Sequence, residues 1–419
     1  MAHGTTSKPR RRSRKQWLGR AGLAVVACYM GYVATTHSLA EVIRAADPAT
    51  AHTLSPSNGA VTADLALHAI TGAPQAGGQD RAISLARLAL RQDPTAVDAI
   101  EALAIKKQFD GETAQSKELF RYSFLLSRRE LRPQIWAIEE SVNRGDINGA
   151  LRNYDVALRT SNEARTLLFP VLTSSLTNVQ IRDALLPIIL TRPNWYEPFF
   201  NFAAKSGIEP QAVSQLFDQA EGLDIEIDAG TKSELVNAIA KAVGLEEAWA
   251  YYASFTPGIS RSQSRDPNFA LWTDTPTLFD WTLSQDPQLS VVMLRLTDSG
   301  ALDFAMPPTR GGLLVSQTQI LPPGSYRLEG RTSMIDQAER SQPYWVLLCE
   351  GRKELGRVEV PNSDTMEGKF SGLLVVPEGC SSQVLQLIAR SSDSIEGVTG
   401  RIDRAYLKPE RRSKMKEAK

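Results

Sequence analysis

Histidine is scarce in this 419-residue chain, and its distribution is uneven. There are 4 histidines, and none lies beyond His68. Serine–histidine–aspartate and cysteine–histidine catalysis, like histidine-rich zinc or iron sites, need an imidazole beside the reacting or metal-bound atom. Such sites are therefore nearly excluded from the chain after position 68.

Other signatures of catalytic and ligand-binding proteins are also missing. The pairs Gly77-Gly78 and Gly311-Gly312 lack the spacing and the following Lys-Ser/Thr of a phosphate-binding loop. No stretch has the acidic density of a strong calcium loop. Lys plus Arg, 47, equals Asp plus Glu, 47, so net charge indicates no nucleic-acid partner. We expect no catalytic residue, no metal, no cofactor and no nucleic acid.

Cysteine is almost as rare. Cys28 lies in an apolar run near the N-terminus, whereas Cys349 and Cys380 lie in the C-terminal region. In an oxidising compartment these two could form one disulfide, which would contribute roughly 3–4 kcal/mol by the loop-entropy model. The alternative is a pair of unlinked buried thiols.

The N-terminus carries six basic residues between Lys8 and Lys15, followed by the uncharged run 21–40. A helix over such a run is roughly 30 Å long, one hydrocarbon thickness. Basic residues before the run and acidic ones after it predict a cytoplasmic tail (1–16), a transmembrane helix (17–40) and a linker (41–56). The alternative is a cleaved signal peptide, because small residues flank Leu39. Both interpretations export the rest of the chain, and we expect a single-pass protein of a bacterial inner membrane with a periplasmic body.

A period of 34 residues links three helical stretches. Small residues recur at the first and third of four compared positions, and a bulky residue at the fourth, and Gly145 pairs with Gly111 in the preceding turn. The compared positions are Ala82, Ala86, Ala89 and Leu90, then Ser116, Phe120, Ser123 and Phe124, then Ala150, Tyr154, Ala157 and Leu158. Repetition at this period predicts stacked helical hairpins.

The period, the glycine turn and the small-x-x-x-aromatic-x-x-small-bulky second helix resemble the tetratricopeptide repeat. The resemblance covers about Ser57 to Asn194, and helical spacing continues to residue 255. It departs from the pattern in the first helix, where only Trp136 and Ile138 approximate the expected motif, and in lacking the proline after the second and third units. It implies an α-solenoid over 57–255 in which small residues allow neighbouring helices to pack closely.

The resemblance also implies a groove lined mainly by the first helix of each unit. In the register set by Gly145, seven residues face it: Asp98, Glu101, Ile105, Arg132, Ile135, Glu139 and Asn143. We expect these residues to bind an extended peptide or a helix of a protein partner. The alternative is a solvated concavity with a purely structural role.

The texture changes after residue 255. A linker rich in Pro, Gly, Ser and Arg (256–277) precedes short Val-, Leu-, Tyr- and Phe-rich runs separated by turns. We predict an antiparallel β-sandwich over 278–409 and a charged tail over 410–419. The predicted strands are 279–284, 289–296, 301–306, 312–320, 325–334, 344–350, 354–360, 369–376, 383–390 and 398–407. The segments "FDW", "LPPGSYRLEGR" and "GRIDRAYL" resemble jelly-roll domains of the carbohydrate-binding or galactose-binding type.

Aromatic residues of the sandwich region are candidates for a sugar-binding platform, since sugar rings stack on flat π-surfaces. Trp272, Trp281 and Tyr344 are the candidates, and core packing between the sheets is the alternative, which is favoured for Trp345. Scattered acidic residues such as Asp274 and Glu359 are best interpreted as surface charge.

The chain thus predicts a multidomain α-then-β protein with one membrane helix. We expect a non-catalytic envelope scaffold or adaptor whose repeats bind a protein partner and whose sandwich binds a partner or a polysaccharide during polysaccharide assembly or export. The alternative function is a glycan hydrolase or lyase that uses two sandwich carboxylates.

Overall fold

A computed structural model describes residues 14–72, 76–271, 273–295, 299–392, 395 and 397–410. Within these residues fourteen helices precede ten strands, which confirms the predicted α-then-β fold class. Contacts divide the chain into two compact units, Met1–Leu168 and Phe169–Lys419, and the division falls inside one helix. The helices and the sandwich therefore do not separate at residue 255.

The first helix, α1, spans Arg14–Ile43. Its part from Trp17 onward is the one helix among the described residues that is long and apolar enough to cross a membrane. Large side chains such as Leu23, Tyr29 and Met30 are exposed along it. A helix with apolar side chains on all sides is suited to a lipid surrounding. Most of the basic segment before it lies outside the described residues.

The segment 41–56, expected as a linker, is largely helical. Helix α1 continues to Ile43, and α2 covers Pro48–Leu54. Asp47 caps α2 by accepting a hydrogen bond from the Thr50 N–H (3.0 Å), and proline occupies the first turn, where it needs no hydrogen-bond donor. Ala40 and Ala51 are fully buried against Val61 of the next helix. This packing joins α1 directly to the helical array.

The remaining helices of the first unit form hairpins. They are α3 (Gly59–Gly72), α4 (Ala76–Gln92), α5 (Val97–Phe109), α6 (Thr113–Leu126), α7 (Leu131–Asn143) and α8 (Ile147–Thr160). Helices α7 and α8 each begin 34 residues after α5 and α6 and have the same lengths as those helices. Ala89, Ser123 and Ala157, which the period places at one position, are all fully buried. The 34-residue hairpin repeat is therefore present in the structure.

Six further helices follow: α9 (Asn162–Ser175), α10 (Val179–Leu190), α11 (Tyr196–Ser206), α12 (Pro210–Glu221), α13 (Ala229–Ala242) and α14 (Leu245–Phe255). From Phe169 onward they belong to the second unit. Phe200 of α11 and Phe217 of α12 pack with ring centroids 4.9 Å apart, and both rings are buried. Aromatic contacts thus replace the small residues that pack the helices of the first unit.

The sandwich consists of two five-stranded antiparallel sheets, ordered β1-β4-β9-β6-β7 and β2-β3-β10-β5-β8. The strands are β1 (Thr282–Leu283), β2 (Ser290–Arg295), β3 (Gly300–Met306), β4 (Gly312–Gln319), β5 (Gly324–Ser333), β6 (Tyr344–Cys349), β7 (Lys353–Glu359), β8 (Lys369–Val376), β9 (Gln383–Ala389) and β10 (Val398–Pro409). Alternate residues of β9 are buried, as a strand between core and surface requires. Trp345 and Leu387 lie in the core between the sheets.

The start of the sandwich is attached to the last helices. Phe279 is buried, with its ring 5.0 Å from Trp249 and 5.3 Å from Tyr252 of α14. The next residue, Asp280, accepts hydrogen bonds from the Tyr252 hydroxyl (2.9 Å) and the Thr277 N–H (2.9 Å). These contacts explain why the first strand is only two residues long, since Phe279 and Asp280 are engaged with α14.

Candidate functional site

Two neighbouring cavities line the helices of the first unit. The apolar cavity, of about 410 Å³, lies between α5, α6 and α7. Ile105 and Ile135 contribute aliphatic surface, and the rings of Phe120 and Trp136 stack with their centroids 6.2 Å apart. Part of each of these four side chains stays exposed to solvent. The cavity therefore offers apolar surface that the fold itself does not cover.

The rim of the apolar cavity is polar. It includes an ion pair between Lys117 and Glu140, with 3.1 Å between the charged atoms. Five of the seven predicted groove residues line this cavity: Ile105, Arg132, Ile135, Glu139 and Asn143. The register set by Gly145 thus brings side chains of α5 and α7 to one concave surface.

The acidic cavity, of about 800 Å³, lies between the end of α1, α3, α5 and the start of α7. Asp98, another predicted groove residue, lines it together with Asp64 and Glu130. The Asp64 and Asp98 carboxyl groups share a hydrogen bond, and Arg44 pairs with both Asp64 (3.1 Å) and Glu41 (3.0 Å). Burial, followed by the hydrogen bond and charge of Asp98, raises the pKa of Asp64 well above its ordinary value.

Glu101, the seventh predicted groove residue, is buried between the two cavities. Its side chain is 1% exposed, and neither carboxylate oxygen accepts a hydrogen bond from any residue that the structure describes. The Nε atom of Arg132 lies 3.7 Å from it, within ion-pair range but beyond hydrogen-bond distance. Burial and then the charge of Asp98 raise the pKa of Glu101 to about 8, against the opposing charge of Arg132.

Sequence reasoning missed several residues of these cavities, including Asp64, Glu130 and Trp136. Asp64 lies 34 residues before Asp98, so extending the groove positions back by one repeat finds it. Glu130 precedes α7 and falls outside the helical pattern, so no comparable signal marks it.

Trp281, one of the predicted sugar-binding residues, lies in the sandwich core. It is 5% exposed, and its indole N–H donates to the Asp266 carbonyl oxygen (2.8 Å). One edge of it reaches a pocket of about 220 Å³, which Asp274 and Gln285 also line. Trp272 lies outside the described residues.

Tyr344 is half-buried and lies between two guanidinium groups. The Cζ atoms of Arg357 and Arg390 are 4.0 Å and 4.4 Å from its ring centroid. Each arginine is also paired with a carboxylate, Arg357 with Glu354 (3.0 Å) and Arg390 with Glu359 (2.6 Å). The ring therefore contributes to a charged surface cluster in which cation–π contacts occupy the positions that a sugar would need.

Cys349 and Cys380 form a disulfide, with their Cα atoms 5.8 Å apart. The bond ties the end of β6 to the turn that precedes β9. Cys28 is a free, exposed thiol on α1. Among the described residues, no group of three or more His, Cys, Asp and Glu side chains is arranged to hold a metal ion.

Comparisons with known proteins give matches of structure alone. A scan against protein-family models and a search of curated proteins found no match. The carbohydrate-binding module TmCBM61, solved with beta-1,4-galactotriose, is 20% identical over 31% of this chain and 88% of its own, with a TM-score of 0.23. The xylan-binding domain CBM22-1 from Paenibacillus barcinonensis is 12% identical over 35% of this chain and 94% of its own, with a TM-score of 0.25.

The enzymatically active domain of tailspike protein 4 from bacteriophage CBA120 is 15% identical over 36% of this chain, with a TM-score of 0.25. This chain covers 21% of that domain, about a fifth of its length. At these identities and TM-scores the likeness does not extend to function.

Proposed function

We propose that this protein is a non-catalytic, membrane-anchored adaptor whose helical hairpins are tetratricopeptide repeats and whose groove binds an extended segment of a partner protein. The observation that carries the proposal is the convergence of predicted groove residues of α5 and α7 on the apolar cavity. Exposed aromatic and aliphatic surface framed by charges is the usual composition of a protein-binding site.

A photo-crosslinking amino acid placed at Ile135, inside the apolar cavity, tests this function. The matched control is the same amino acid at Arg152, an exposed position on α8 outside both cavities. We expect one defined partner segment, identified by mass spectrometry, to crosslink from position 135 and not from 152. Equal crosslinking from both positions, or none from position 135, would contradict a binding groove.

We further propose that α1 spans a bacterial inner membrane with its N-terminus in the cytoplasm and the rest in the periplasm. The support is the exposed apolar surface of α1 and the basic residues that precede it. A reporter that is active only after export, fused after residue 45, should be active. A fusion that is active only as a cytoplasmic reporter would overturn this topology.

The second proposed activity is binding of an envelope polysaccharide by the sandwich, during its assembly or export. The supporting observation is the pocket beside Trp281, where an aromatic edge adjoins hydrogen-bonding groups. Gln285 lines the pocket, whereas Gln288 is exposed close by in the chain and does not line it. We expect Gln285→Ala to weaken polysaccharide binding in calorimetric titrations several-fold and Gln288→Ala to leave it unchanged. Identical titrations of both variants would exclude this pocket.

A further inference from the structure

We propose that the partner segment inserts a lysine or arginine side chain into the acidic cavity while its neighbouring apolar residues occupy the apolar cavity. This inference rests on the proposed groove function and names the chemistry of its occupant.

Charge is the first argument. Six acidic residues line the acidic cavity: Glu41, Asp64, Asp93, Asp98, Glu130 and Glu163. Only two arginines, Arg44 and Arg132, line it with them. Arg44 is already shared between Glu41 and Asp64. Within the described part of the chain, no ion pair reaches Asp98, Glu130 or Glu163, so a cation supplied by a ligand would find uncompensated carboxylates.

Glu101 is the second, independent argument. A carboxyl group that is fully buried without a hydrogen bond is costly, and folded proteins rarely keep one without a functional reason. Asp98, Glu101 and Ile105 lie three and four residues apart, so they share one face of α5. Asp98 lines the acidic cavity and Ile105 the apolar cavity, which places Glu101 at their junction.

Arg132 connects the two cavities, since it lines both of them. Its side chain is 53% exposed and touches Glu101 only at 3.7 Å. An exposed side chain of this length can move aside or add its stem to the contact surface without disturbing the core. An extended segment can therefore run from one cavity to the other across Arg132.

The occupant is a peptide rather than a lipid amine because the cationic and apolar requirements lie in adjacent concave pockets on protein. An extended chain advances roughly 3.3 Å per residue, so successive side chains reach neighbouring pockets. Arginine also offers several donors in a planar fork, which suits the pair of carboxyls at Asp64 and Asp98.

Fluorescein-labelled decapeptides test the inference by anisotropy with the full-length protein in detergent. Each peptide carries leucine and alanine around a central arginine, or around citrulline, which has nearly the same shape without the charge. We expect the arginine peptide to bind at least tenfold more tightly than the citrulline peptide. Asp98→Asn should reduce this ratio to nearly one, whereas Glu118→Gln, at an exposed position of α6 outside both cavities, should leave it unchanged.

Thermal unfolding of each variant shows whether it remains folded, and Asp64→Asn provides a second near-isosteric test at the same cavity. Equal binding of both peptides to the wild type, or an unchanged ratio in both Asn variants, overturns the inference. If crosslinking from position 135 persists in either case, the groove function stands and only its cationic specificity fails. Binding of phosphatidylethanolamine vesicles that depends on Asp98, without a preference for the arginine peptide, would assign the cavity to a lipid amine and reject the peptide.

Discussion

At the scale of single residues, two turn glycines carry the repeat. Gly111 and Gly145 connect the two helices of successive hairpins, and both have left-handed backbone angles, with φ values of 78° and 71°. No heavy atom lies within 4 Å of the position that a Cβ would occupy at either residue. Backbone conformation, and not crowding, is therefore the reason for glycine at these turns.

Replacing either glycine by alanine should lower the free energy of unfolding of the first unit by about 1–2 kcal/mol, the cost of a left-handed residue with a side chain. The two substitutions should cost nearly the same, because the turns are equivalent. Gly72→Ala, at the end of helix α3, is the control and should be neutral or stabilising. Urea unfolding followed by circular dichroism measures all three, and unequal costs at Gly111 and Gly145 would argue against equivalent repeats.

At the scale of elements, the face of α5 that carries Asp98, Glu101 and Ile105 determines how the array responds to pH. Glu101 faces Asp98 of α5, and Glu130 and Arg132 at the start of α7. Its pKa is raised from 4.5 to about 8, so the folded protein retains a proton that the unfolded chain releases. The free energy of unfolding should therefore fall as the pH rises from about 4.5 to 8.

Glu101→Gln removes this titration. We expect the variant to be more stable than the wild type at pH 8.5, by on the order of 2 kcal/mol, and to differ little from it at pH 5. Chemical unfolding at the two pH values measures the difference. Glu118→Gln, an exposed acid on α6, should change stability at neither pH. A Glu101→Gln variant that is less stable than the wild type at pH 8.5 would show that the carboxylate is satisfied by its surroundings.

Most elements could be predicted from the sequence, since patterning and turn residues act locally. The prediction of 312–320 matches β4 (Gly312–Gln319), and the 34-residue spacing locates α5 to α8. The first strand was predicted too long because Phe279 and Asp280 bind α14, a contact between distant parts of the chain. Helix α2 was missed because its seven residues are too few for a helical period, although Asp47 and Pro48 form a recognisable start.

The candidate site was predictable only where it follows the repeat. Spacing identified Asp98, Arg132 and Ile135, and the period also locates Asp64. The burial of Glu101 depends on how three helices meet, which spacing does not reveal. Trp281 illustrates the same limit in the sandwich, since a strand pattern does not distinguish a core tryptophan from an exposed one.

At the scale of the whole molecule, the chain contains two compact units rather than one body for each predicted domain. In the second unit the helices and the sandwich share a boundary at Phe279, which is 1% exposed between Trp249 and Tyr252. Asn237 of α13 strengthens it by accepting from the Leu278 N–H (3.0 Å) and donating to the Pro276 carbonyl (3.2 Å). The helices α13 and α14 and the sandwich should therefore unfold together.

Phe279→Ala should lower the free energy of unfolding of the second unit by about 3–5 kcal/mol, because it leaves a cavity among aromatic rings. The helical signal at 222 nm and the tryptophan fluorescence of this unit should shift to lower denaturant together. Leu271→Ala, which removes a side chain that is 54% exposed, is the control and should have little effect. Loss of the sandwich signal alone would show that α14 and the sandwich are independent.

The central claim is that the groove of the first unit binds a protein segment through its apolar and acidic cavities. Isothermal titration calorimetry with a synthetic peptide of the segment that crosslinks from position 135 tests it most directly. We expect one peptide per chain, with the affinity at least tenfold weaker for Trp136→Ala and for Asp98→Asn and unchanged for Arg152→Ala. Equal affinity of the wild type and the two cavity variants would contradict the claim.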